Sequence, residues 1–326
     1  MEDRKVILKI EHLCKDFDIK AKSFTGKALK LHALSDISLD IYEGETLGII
    51  GESGCGKSTL GRCLVNLHPI TSGKLVYDGK ELNRLRKKER QALSREIQMV
   101  FQDPYSSLDP RHTAAHSVEE PMIVHKTPAT ARERQERTIG LFKEVGLDMQ
   151  HLNRYPHEFS GGQRQRLNIA RAIASNPRVV ICDEPVSALD VSIQAQVITL
   201  FKKLQKHFNL TYIFISHDLS VVRHISNRIL VMYLGQMVEI CDSRELFRNP
   251  VHPYTKALLS AVPIAKYGYK RERILLEGDV PSPINPKPGC KFATRCLMAQ
   301  DICRRQEPPV YTVSPGHQVC CHMAEH

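Results

Sequence analysis

The feature that most constrains this chain is the run Gly51-Glu52-Ser53-Gly54-Cys55-Gly56-Lys57-Ser58. Its glycines and its Lys-Ser pair have the spacing of a phosphate-binding loop. Apolar residues 46–50 precede the run and predict a buried strand, and residues 59–66 after it predict a helix. A strand–loop–helix unit presents backbone N–H groups and the positive end of a helix dipole to phosphate oxygens. The run therefore predicts a nucleotide-binding α/β fold.

Within this loop, Lys57 is expected to reach the β- and γ-phosphates, and the Ser58 hydroxyl is expected to bind Mg²⁺. Glycine allows the backbone to approach the phosphate oxygens closely. The residues predicted to contact the phosphates are Gly51, Ser53, Gly54, Cys55, Gly56, Lys57, Ser58 and Thr59.

Strand and helix patterns alternate along most of the chain. Residues 6–13 and 32–41 alternate with period two and predict strands, with a polar loop predicted between them at 18–31. Further strands are predicted at 74–77, 97–101, 179–182, 210–215 and 228–232, and a helix at 192–207. Residues 103–176 are helical and charged in character. Alternating strands and helices predict a mainly parallel sheet covered on both faces, with a helical insertion.

Composition limits the function classes that remain. No window of 18 consecutive apolar residues exists, and residues 1–5 lack the apolar core of an export signal, which predicts a cytosolic protein. The net charge of +10 is spread along the chain, which favours a solvated surface. With no Trp and 6% aromatic residues, the sequence does not suggest nucleic-acid binding.

Two acidic residues end the apolar strand predicted at 179–182. Ligands of open α/β sheets bind at the carboxyl ends of the strands, where Asp183 and Glu184 are expected to lie. Asp183 is predicted to hold Mg²⁺, and Glu184 to orient or deprotonate the attacking water. The alternative is that the two acids only end the strand and have no catalytic role, which the presence of a phosphate loop in the same chain disfavours.

A second anion-binding element is predicted at Ser160-Gly161-Gly162-Gln163, where Ser160 is a good N-cap for the helix that follows. With Phe159 in front, this run resembles the Leu-Ser-Gly-Gly-Gln signature of the ATP-binding cassette (ABC) family, with phenylalanine in place of leucine. The resemblance implies that Ser160, Gly161, Gly162 and Gln163 contact a nucleotide held by another subunit.

The same resemblance covers most of the chain and extends to further motifs in the family's order. Gln102 matches the glutamine of the Q-loop, which contacts Mg²⁺ and senses the membrane partner, and Ser187-Ala188-Leu189-Asp190 matches the D-loop. His217 matches the switch histidine at the γ-phosphate, and Phe17 the aromatic residue that stacks on adenine. The implied catalytic residues are Glu184, His217 and Gln102, and the implied assembly is a head-to-tail pair with ATP between the subunits.

Longer segments are similar to the ATPases of the oligopeptide, dipeptide and nickel importer group. These segments are residues 101–111, 252–259, 288–292 and 316–322. The sequence of residues 54–62 is more similar to the F-type subunit than to its D-type partner. The resemblance implies peptide uptake at the cytoplasmic face of a membrane. The implied partners are a second, different ATPase subunit, two transmembrane permease subunits and an extracytoplasmic peptide-binding protein.

Ten cysteines without an export signal argue against a disulfide framework, and five of them lie in the last 37 residues. Cys290, Cys296, Cys303 and Cys321 lack the paired C-x₂-C spacing that is usual for structural zinc. Four thiolates from a short segment suit an iron–sulfur cluster, while zinc and free thiols remain alternatives. The resemblance implies a [4Fe–4S] site, with Cys321 rather than Cys320 as the matching position.

The predicted organisation is an ATPase core of residues 1–102 and 177–240, a helical subdomain at 103–176, and a C-terminal extension at 241–326. Two other functions remain open. One is import of nickel or another metal complex, which no residue separates from peptide import. The other is a cassette ATPase acting on nucleic acid or ribosomes, although this chain lacks the second cassette or coiled-coil insertion common in such proteins.

Overall fold

A computed structural model describes residues 4–19, 29–128, 130–262 and 273–325. Contacts divide the chain into two compact units. The first unit consists mainly of Arg84–Ser216 with Tyr42–Thr46. The second unit consists of Val6–Ile41, Leu47–Asn83 and the described residues from His217 onward.

The helices and strands have the following bounds in chain order. The strands are β1 (Val6–Ile19), β2 (Leu29–Tyr42), β3 (Thr46–Ile50), β4 (Ser72–Tyr77), β5 (Lys80–Glu81), β6 (Ile97–Val100), β7 (Val179–Asp183), β8 (Thr211–Ile215), β9 (Arg228–Tyr233), β10 (Gln236–Asp242), β11 (Val310–Ser314) and β12 (His317–Cys320). The helices are α1 (Lys57–Leu64), α2 (Lys87–Glu96), α3 (Pro104–Ser107), α4 (Ala114–His125), α5 (Ala131–Val145), α6 (Gly161–Ile173), α7 (Val191–Phe208), α8 (Leu219–Ile225), α9 (Ser243–Arg248), α10 (Pro253–Ser260) and α11 (Asp301–Arg305).

The first unit is built on three parallel strands in the order β8-β7-β6. Every residue of β7 and β8 is buried, as expected for parallel strands covered on both faces. Helices α4, α5 and α6 pack against one another through buried side chains such as Val118, Phe142 and Leu167. The Thr130 hydroxyl caps α5 and Gly146 ends it at φ 70°, so the sequence itself sets both ends of this helix.

The second unit contains two groups of strands. The order β2-β1-β4-β5 forms one sheet, in which β1 pairs antiparallel with β4 and β4 with β5. In the other group, β3 lies parallel to β9, and β10, β12 and β11 continue it antiparallel. The buried strand β3 leads directly into the phosphate loop and α1.

The C-terminal extension contributes buried residues of its own to the second unit. Its strand β12 pairs with β10 and buries His317 and Val319, and Phe292 is 2% exposed. The rings of Tyr233, Tyr254 and Phe292 contact one another with centroid separations of 4.7 to 5.4 Å. Through Tyr254 of α10 and Phe292, the extension therefore shares an aromatic core with β9.

The mainly parallel sheet predicted from the alternating pattern is confirmed, but two local predictions are wrong. Strand β1 continues to Ile19 and β2 begins at Leu29, although 18–31 was predicted as a loop. Just outside this segment, Asp16 on β1 and His32 on β2 join the two strands, since His32 Nδ1 lies 2.9 Å from Asp16 Oδ1; residues 20–28 lie outside the described part. Helix α1 begins at Lys57 rather than at residue 59, because Gly56 ends the loop at φ 99°.

No helix among the described residues combines the length and the apolar character that crossing a membrane requires.

Candidate functional site

The phosphate loop has the backbone conformation that its glycines predict. Gly51, Gly54 and Gly56 have φ values of 153°, 77° and 99°. A Cβ atom on Gly51 would lie 2.2 Å from the Met232 carbonyl oxygen, and one on Gly56 would lie 2.5 Å from the Ala33 carbonyl oxygen. A Cβ atom on Gly54 would meet nothing within 4 Å. Two of the glycines are therefore fixed by close backbone packing, and Gly54 by its φ value.

Lys57 is held inside this loop. Its side chain is 5% exposed, and Nζ donates hydrogen bonds to the carbonyl oxygens of Gly51 at 2.8 Å and Glu52 at 2.9 Å. These carbonyl groups satisfy a buried ammonium that would otherwise be costly to desolvate. Ser58 and Thr59 follow in the first turn of α1, where the helix dipole is positive.

Of the remaining loop residues, Ser53 is exposed and Cys55 is buried. Burial raises the pKa of the Cys55 thiol, so the thiol is neutral at physiological pH. The Cys55 carbonyl accepts a hydrogen bond from the Gly235 N–H at 2.9 Å. The chain after β9 therefore supports the middle of the loop.

The structure brings Gln102 and Glu184 together in the first unit. Strands β6 and β7 are parallel neighbours, so the residues that follow them lie at the same edge of the sheet. The Gln102 Nε2 group donates a hydrogen bond to Glu184 Oε2 at 2.8 Å. Glu184 has φ 46°, and its backbone N–H donates to the Ile215 carbonyl at 3.0 Å. A non-glycine residue with left-handed backbone conformation is typical of functional sites. Asp183, 1% exposed, ends β7 beside it.

The signature segment forms a capped helix start, as predicted. The Ser160 hydroxyl accepts a hydrogen bond from the Gln163 N–H at 3.3 Å, and Gln163 Oε1 accepts one from the Ser160 N–H at 3.0 Å. This reciprocal pair is a capping box that fixes the start of α6. A Cβ atom on Gly162 would lie 2.7 Å from Ile193 Cγ2 on α7, whereas one on Gly161 would lie 3.7 Å from Leu189. Ser160 and Gly161 are exposed and available to a ligand.

His217 and Phe17 lie in the second unit with the phosphate loop. His217 is exposed and stands just before α8, whose N-cap is Asp218. Phe17 lies on β1, with Lys15 Nζ 4.6 Å from its ring centroid and the His68 ring at 5.4 Å. Its half-buried ring suits stacking, and the adenine assignment stays a prediction.

The four cysteines predicted as a cluster-binding set are close neighbours in the extension. All are free, and the Cys290 N–H donates to the Cys303 carbonyl at 2.8 Å. Burial raises the pKa of the Cys290 thiol to about 11, and the charges of Cys303, Cys321 and Cys296 raise it further. Burial also raises the pKa of Cys321, with contributions from Cys296 and Cys303. Cys296, Cys303 and Cys321 thus lie near enough to Cys290 to affect its pKa, and Cys290 and Cys321 raise the pKa of Cys320 in the same way.

The thiols of Cys290, Cys296, Cys303 and Cys321 are donors that suit a metal ion or cluster bound by thiolates. Four thiolates around one zinc ion at about 2.3 Å would lie roughly 3.8 Å apart. Within the described ranges, the one set of three or more candidate ligands whose atoms all lie within 4.8 Å is Glu239, Cys241 and His317. The four tail thiols do not form such a set among the described residues. Cys320 differs from them, because its thiol donates to the Pro308 carbonyl at 3.1 Å.

Sequence reasoning missed the buried group around Glu239. Its carboxylate is fully buried and accepts hydrogen bonds from the N–H groups of Val251 at 2.9 Å and His252 at 3.0 Å. His317 Nε2 lies 2.8 Å from the same carboxylate. Burial alone would raise the pKa of Glu239, but these hydrogen bonds lower it. A carboxylate already satisfied in this way ties β10, α10 and β12 together and has little capacity left for a metal ion.

Comparison with known proteins agrees with these features. Residues 34–187 match the family model described as ABC transporter, and residues 238–303 match the model described as oligopeptide/dipeptide transporter, C-terminal region. The oligopeptide transport ATP-binding protein AppF of Bacillus subtilis is 51% identical over 98% of both chains. The corresponding protein OppF of Escherichia coli is 48% identical, over 98% of this chain and 97% of its own.

Solved structures show the same likeness. The dimeric ATP-binding cassette MJ0796, in a post-hydrolysis state bound to ADP and Pi, is 32% identical with a TM-score of 0.65. The match covers 73% of this chain and 99% of that one.

Proposed function

The chain belongs to the ABC transporter family as an ATP-hydrolysing subunit of the oligopeptide/dipeptide importer group, and we propose that its hydrolysis drives uptake of dipeptides and oligopeptides. The observation that carries the cargo class is the match of residues 238–303, in addition to the ATPase region, to the C-terminal region of peptide transporters. Relatives named for oligopeptide transport are about half identical over nearly the whole chain.

The proposed nucleotide site uses the loop 51–59 for the phosphates and Phe17 for the adenine. Loop N–H groups and Lys57 hold the triphosphate, and His217 contacts the γ-phosphate. Oxygen donors suit Mg²⁺, and the proposed ligands are Ser58, Gln102 and Asp183, of which Asp183 is a buried carboxylate. When bound, Mg²⁺ neutralises charge on the β- and γ-phosphates.

Glu184 is proposed as the general base that takes a proton from the attacking water. The hydrogen bond from Gln102 Nε2 orients the Glu184 carboxylate, whose oxygens can accept a proton from water. The backbone of Glu184, fixed by the Ile215 carbonyl, sets the direction of the side chain. A positioned base of this kind contributes about 10²–10⁴ in rate.

The proposed partner in catalysis is a second, related ATPase subunit in head-to-tail arrangement. The capped start of α6 presents Ser160–Gln163 at the surface, where N–H groups and a helix dipole suit the phosphates of a nucleotide held by the partner. The related cassette MJ0796 is described as dimeric with bound ADP and Pi. We further propose two permease subunits and an external peptide-binding protein, with this chain at the cytoplasmic face of the membrane.

We propose that the extension holds a [4Fe–4S] cluster on Cys290, Cys296, Cys303 and Cys321. The proposal is supported by the mutual influence of these thiols on their pKa values and by the suitability of four thiolates from a short segment for an iron–sulfur cluster. Such a cluster would anchor the extension. We also propose that the chain is divided into an ATPase core at 1–102 and 177–240, a helical subdomain at 103–176 and a C-terminal extension at 241–326.

The test uses the whole transporter reconstituted in proteoliposomes with its binding protein. Wild type should hydrolyse ATP and accumulate labelled di- and oligopeptides, and Glu184→Gln should lower both rates by about 10²–10⁴ while retaining MgATP binding. Gln102→Ala is the matched variant, expected to reduce transport more than binding. Accumulation of nickel complexes instead of peptides would refute the cargo class, and full turnover by Glu184→Gln would refute the role of the base.

A further inference from the structure

The phosphate loop carries an acidic side chain that the nucleotide site does not explain. Glu52 directly follows Gly51, and a carboxylate near a triphosphate repels it. The Glu52 carboxylate forms a direct ion pair with the Arg295 guanidinium, which lies 2.8 Å from its Oε2. The cation that pairs with this carboxylate therefore lies 243 positions further along the chain, in the C-terminal extension.

Arg295 is buried and contacts Tyr233 as well as Glu52. Its side chain is 9% exposed, and its guanidinium group lies 6.0 Å from the centroid of the Tyr233 ring and 3.5 Å from the Tyr233 hydroxyl. The ion pair with Glu52 is consequently shielded from solvent on the Arg295 side. Salt screens a partly buried pair less than an exposed one, and removing one partner leaves the other charge uncompensated.

A second contact from the same region holds the backbone of the loop. The Glu52 N–H donates a hydrogen bond to the Tyr254 hydroxyl at 2.8 Å. Tyr254 is fully buried in α10, and its ring packs against Tyr233 at 4.7 Å and Phe292 at 5.4 Å. Packing of the Tyr254 ring in this aromatic core therefore places its hydroxyl within hydrogen-bonding distance of the loop.

The extension is attached to the surroundings of the loop by one more side chain. Lys291 Nζ donates to Ser35 Oγ at 2.8 Å and to the Leu234 carbonyl at 2.9 Å. Lys291, Phe292 and Arg295 all lie between Cys290 and Cys296, so these five intervening residues connect the cysteine-rich segment to the phosphate loop and its surroundings.

We propose that Arg295 and Tyr254 are positioning residues of the nucleotide site, with Arg295 neutralising Glu52 so that the loop accepts a polyphosphate. The extension then forms part of the ATP-binding apparatus, in addition to any group that its thiols hold. This inference rests on the proposed function, because it requires the loop at 51–58 to bind ATP.

The test is a double-mutant cycle read out as the dissociation constant for MgATP. The full-length subunit with Glu184→Gln serves as the common background, so that turnover does not disturb the binding measurement. Arg295→Gln leaves Glu52 unpaired and should weaken MgATP binding about tenfold. Glu52→Gln should change it by less than about threefold, and the double variant Glu52→Gln/Arg295→Gln should return to within about threefold of the background protein.

Ligand charge and a conservative variant separate this role from general support of the fold. The loss in Arg295→Gln should be smaller for ADP than for ATP, because ADP carries less negative charge. Arg295→Lys keeps the charge and should retain most of the affinity. If Arg295→Gln does not fold, Tyr254→Phe keeps the ring packing, removes the acceptor for the Glu52 N–H, and should weaken MgATP binding several-fold.

The outcomes distinguish this inference from the proposed function. A double variant as weak as Arg295→Gln, or a Tyr254→Phe variant that binds MgATP like the background protein when Arg295→Gln is unfolded, would refute the positioning role. Unchanged binding by a folded Arg295→Gln would also refute it while leaving the ATPase intact. A background protein that binds no MgATP at all would refute the proposed function, and the inference with it.

Discussion

The stability of this protein should depend on pH through His252, a residue outside the proposed nucleotide site. His252 is 1% exposed and is the N-cap of α10. Its Nδ1 accepts a hydrogen bond from the Tyr254 N–H at 3.1 Å, so this nitrogen carries no proton in the folded protein. Burial lowers the pKa of His252 from 6.5 to about 4, although the charge of Glu239 opposes this shift.

The sign of the effect follows from which state binds the proton more tightly. Below pH 6.5 the unfolded chain takes up a proton at this position, whereas the folded chain does so only near pH 4. Stability from neutral His252 is therefore present above pH 6.5 and is lost as the pH falls toward 4. For these two pKa values the loss is about 1 kcal/mol at pH 6 and about 2 kcal/mol at pH 5.

The assay is urea unfolding followed by circular dichroism at pH 7.5, 6 and 5, with wild type compared to His252→Asn. Asparagine can cap the helix through its side-chain oxygen but does not titrate in this range. The variant should be less stable at pH 7.5 because a smaller side chain leaves a cavity. Its deficit should then shrink by about 2 kcal/mol on going to pH 5.

The contribution of the carboxylates to the pH dependence of stability cancels in this comparison, because they titrate in both proteins. Glu239 is the important one, since its pKa is lowered and its stabilising contribution is lost at still lower pH. Parallel pH dependence of wild type and His252→Asn would show that burial does not hold His252 neutral. A deficit that grew toward pH 5 would contradict even the direction of the effect.

Two further predictions concern the cysteines and the signature glycines. Cys321→Ser should lose iron and brown absorbance after anaerobic purification, whereas Cys320→Ser should keep both, because the Cys320 thiol is engaged by a backbone carbonyl; equal loss in both would contradict the assignment. Gly162→Ala should lower the free energy of unfolding by about 1–3 kcal/mol through its clash with Ile193, measured on the isolated subunit by urea unfolding. Gly161→Ala, with ordinary contacts only, should cost less than about 1 kcal/mol, and equal costs would contradict the packing argument.

The phosphate loop and the signature helix could be predicted from sequence because their determinants are local. The strand at 46–50, the glycines and Lys57 lie within a dozen residues, and the Ser160–Gln163 capping box spans only four. Backbone conformation at such short range follows from residue type with little help from the rest of the fold. The pairing of β6 with β7 was also accessible, because alternating strands and helices restrict the topology.

Contacts made by the extension could not be predicted in this way. Glu52 meets Arg295 across 243 residues, and Glu239 meets His317 across 78. Nothing in the spacing of these residues indicates that they meet. One signal was nevertheless present, since an acid inside a phosphate loop repels the phosphates less when a cation pairs with it. The polar residues that flank 20–28 show the opposite error, because their composition suggested a loop where β1 and β2 continue.

The segment that begins α10 takes part in both sets of distant contacts. The His252 N–H is bound by Glu239, its ring caps the helix, and Tyr254 two residues later carries the hydroxyl that holds the Glu52 N–H. Glu239 in turn accepts from His317 on β12, close in sequence to Cys321. The buried carboxylate therefore sets the position of the helix start, and the helix start sets the position of the loop. Because Tyr254→Phe removes only the contact with the Glu52 N–H, it separates support of the loop from the buried contacts of Glu239, which variants of His252 or Glu239 cannot do.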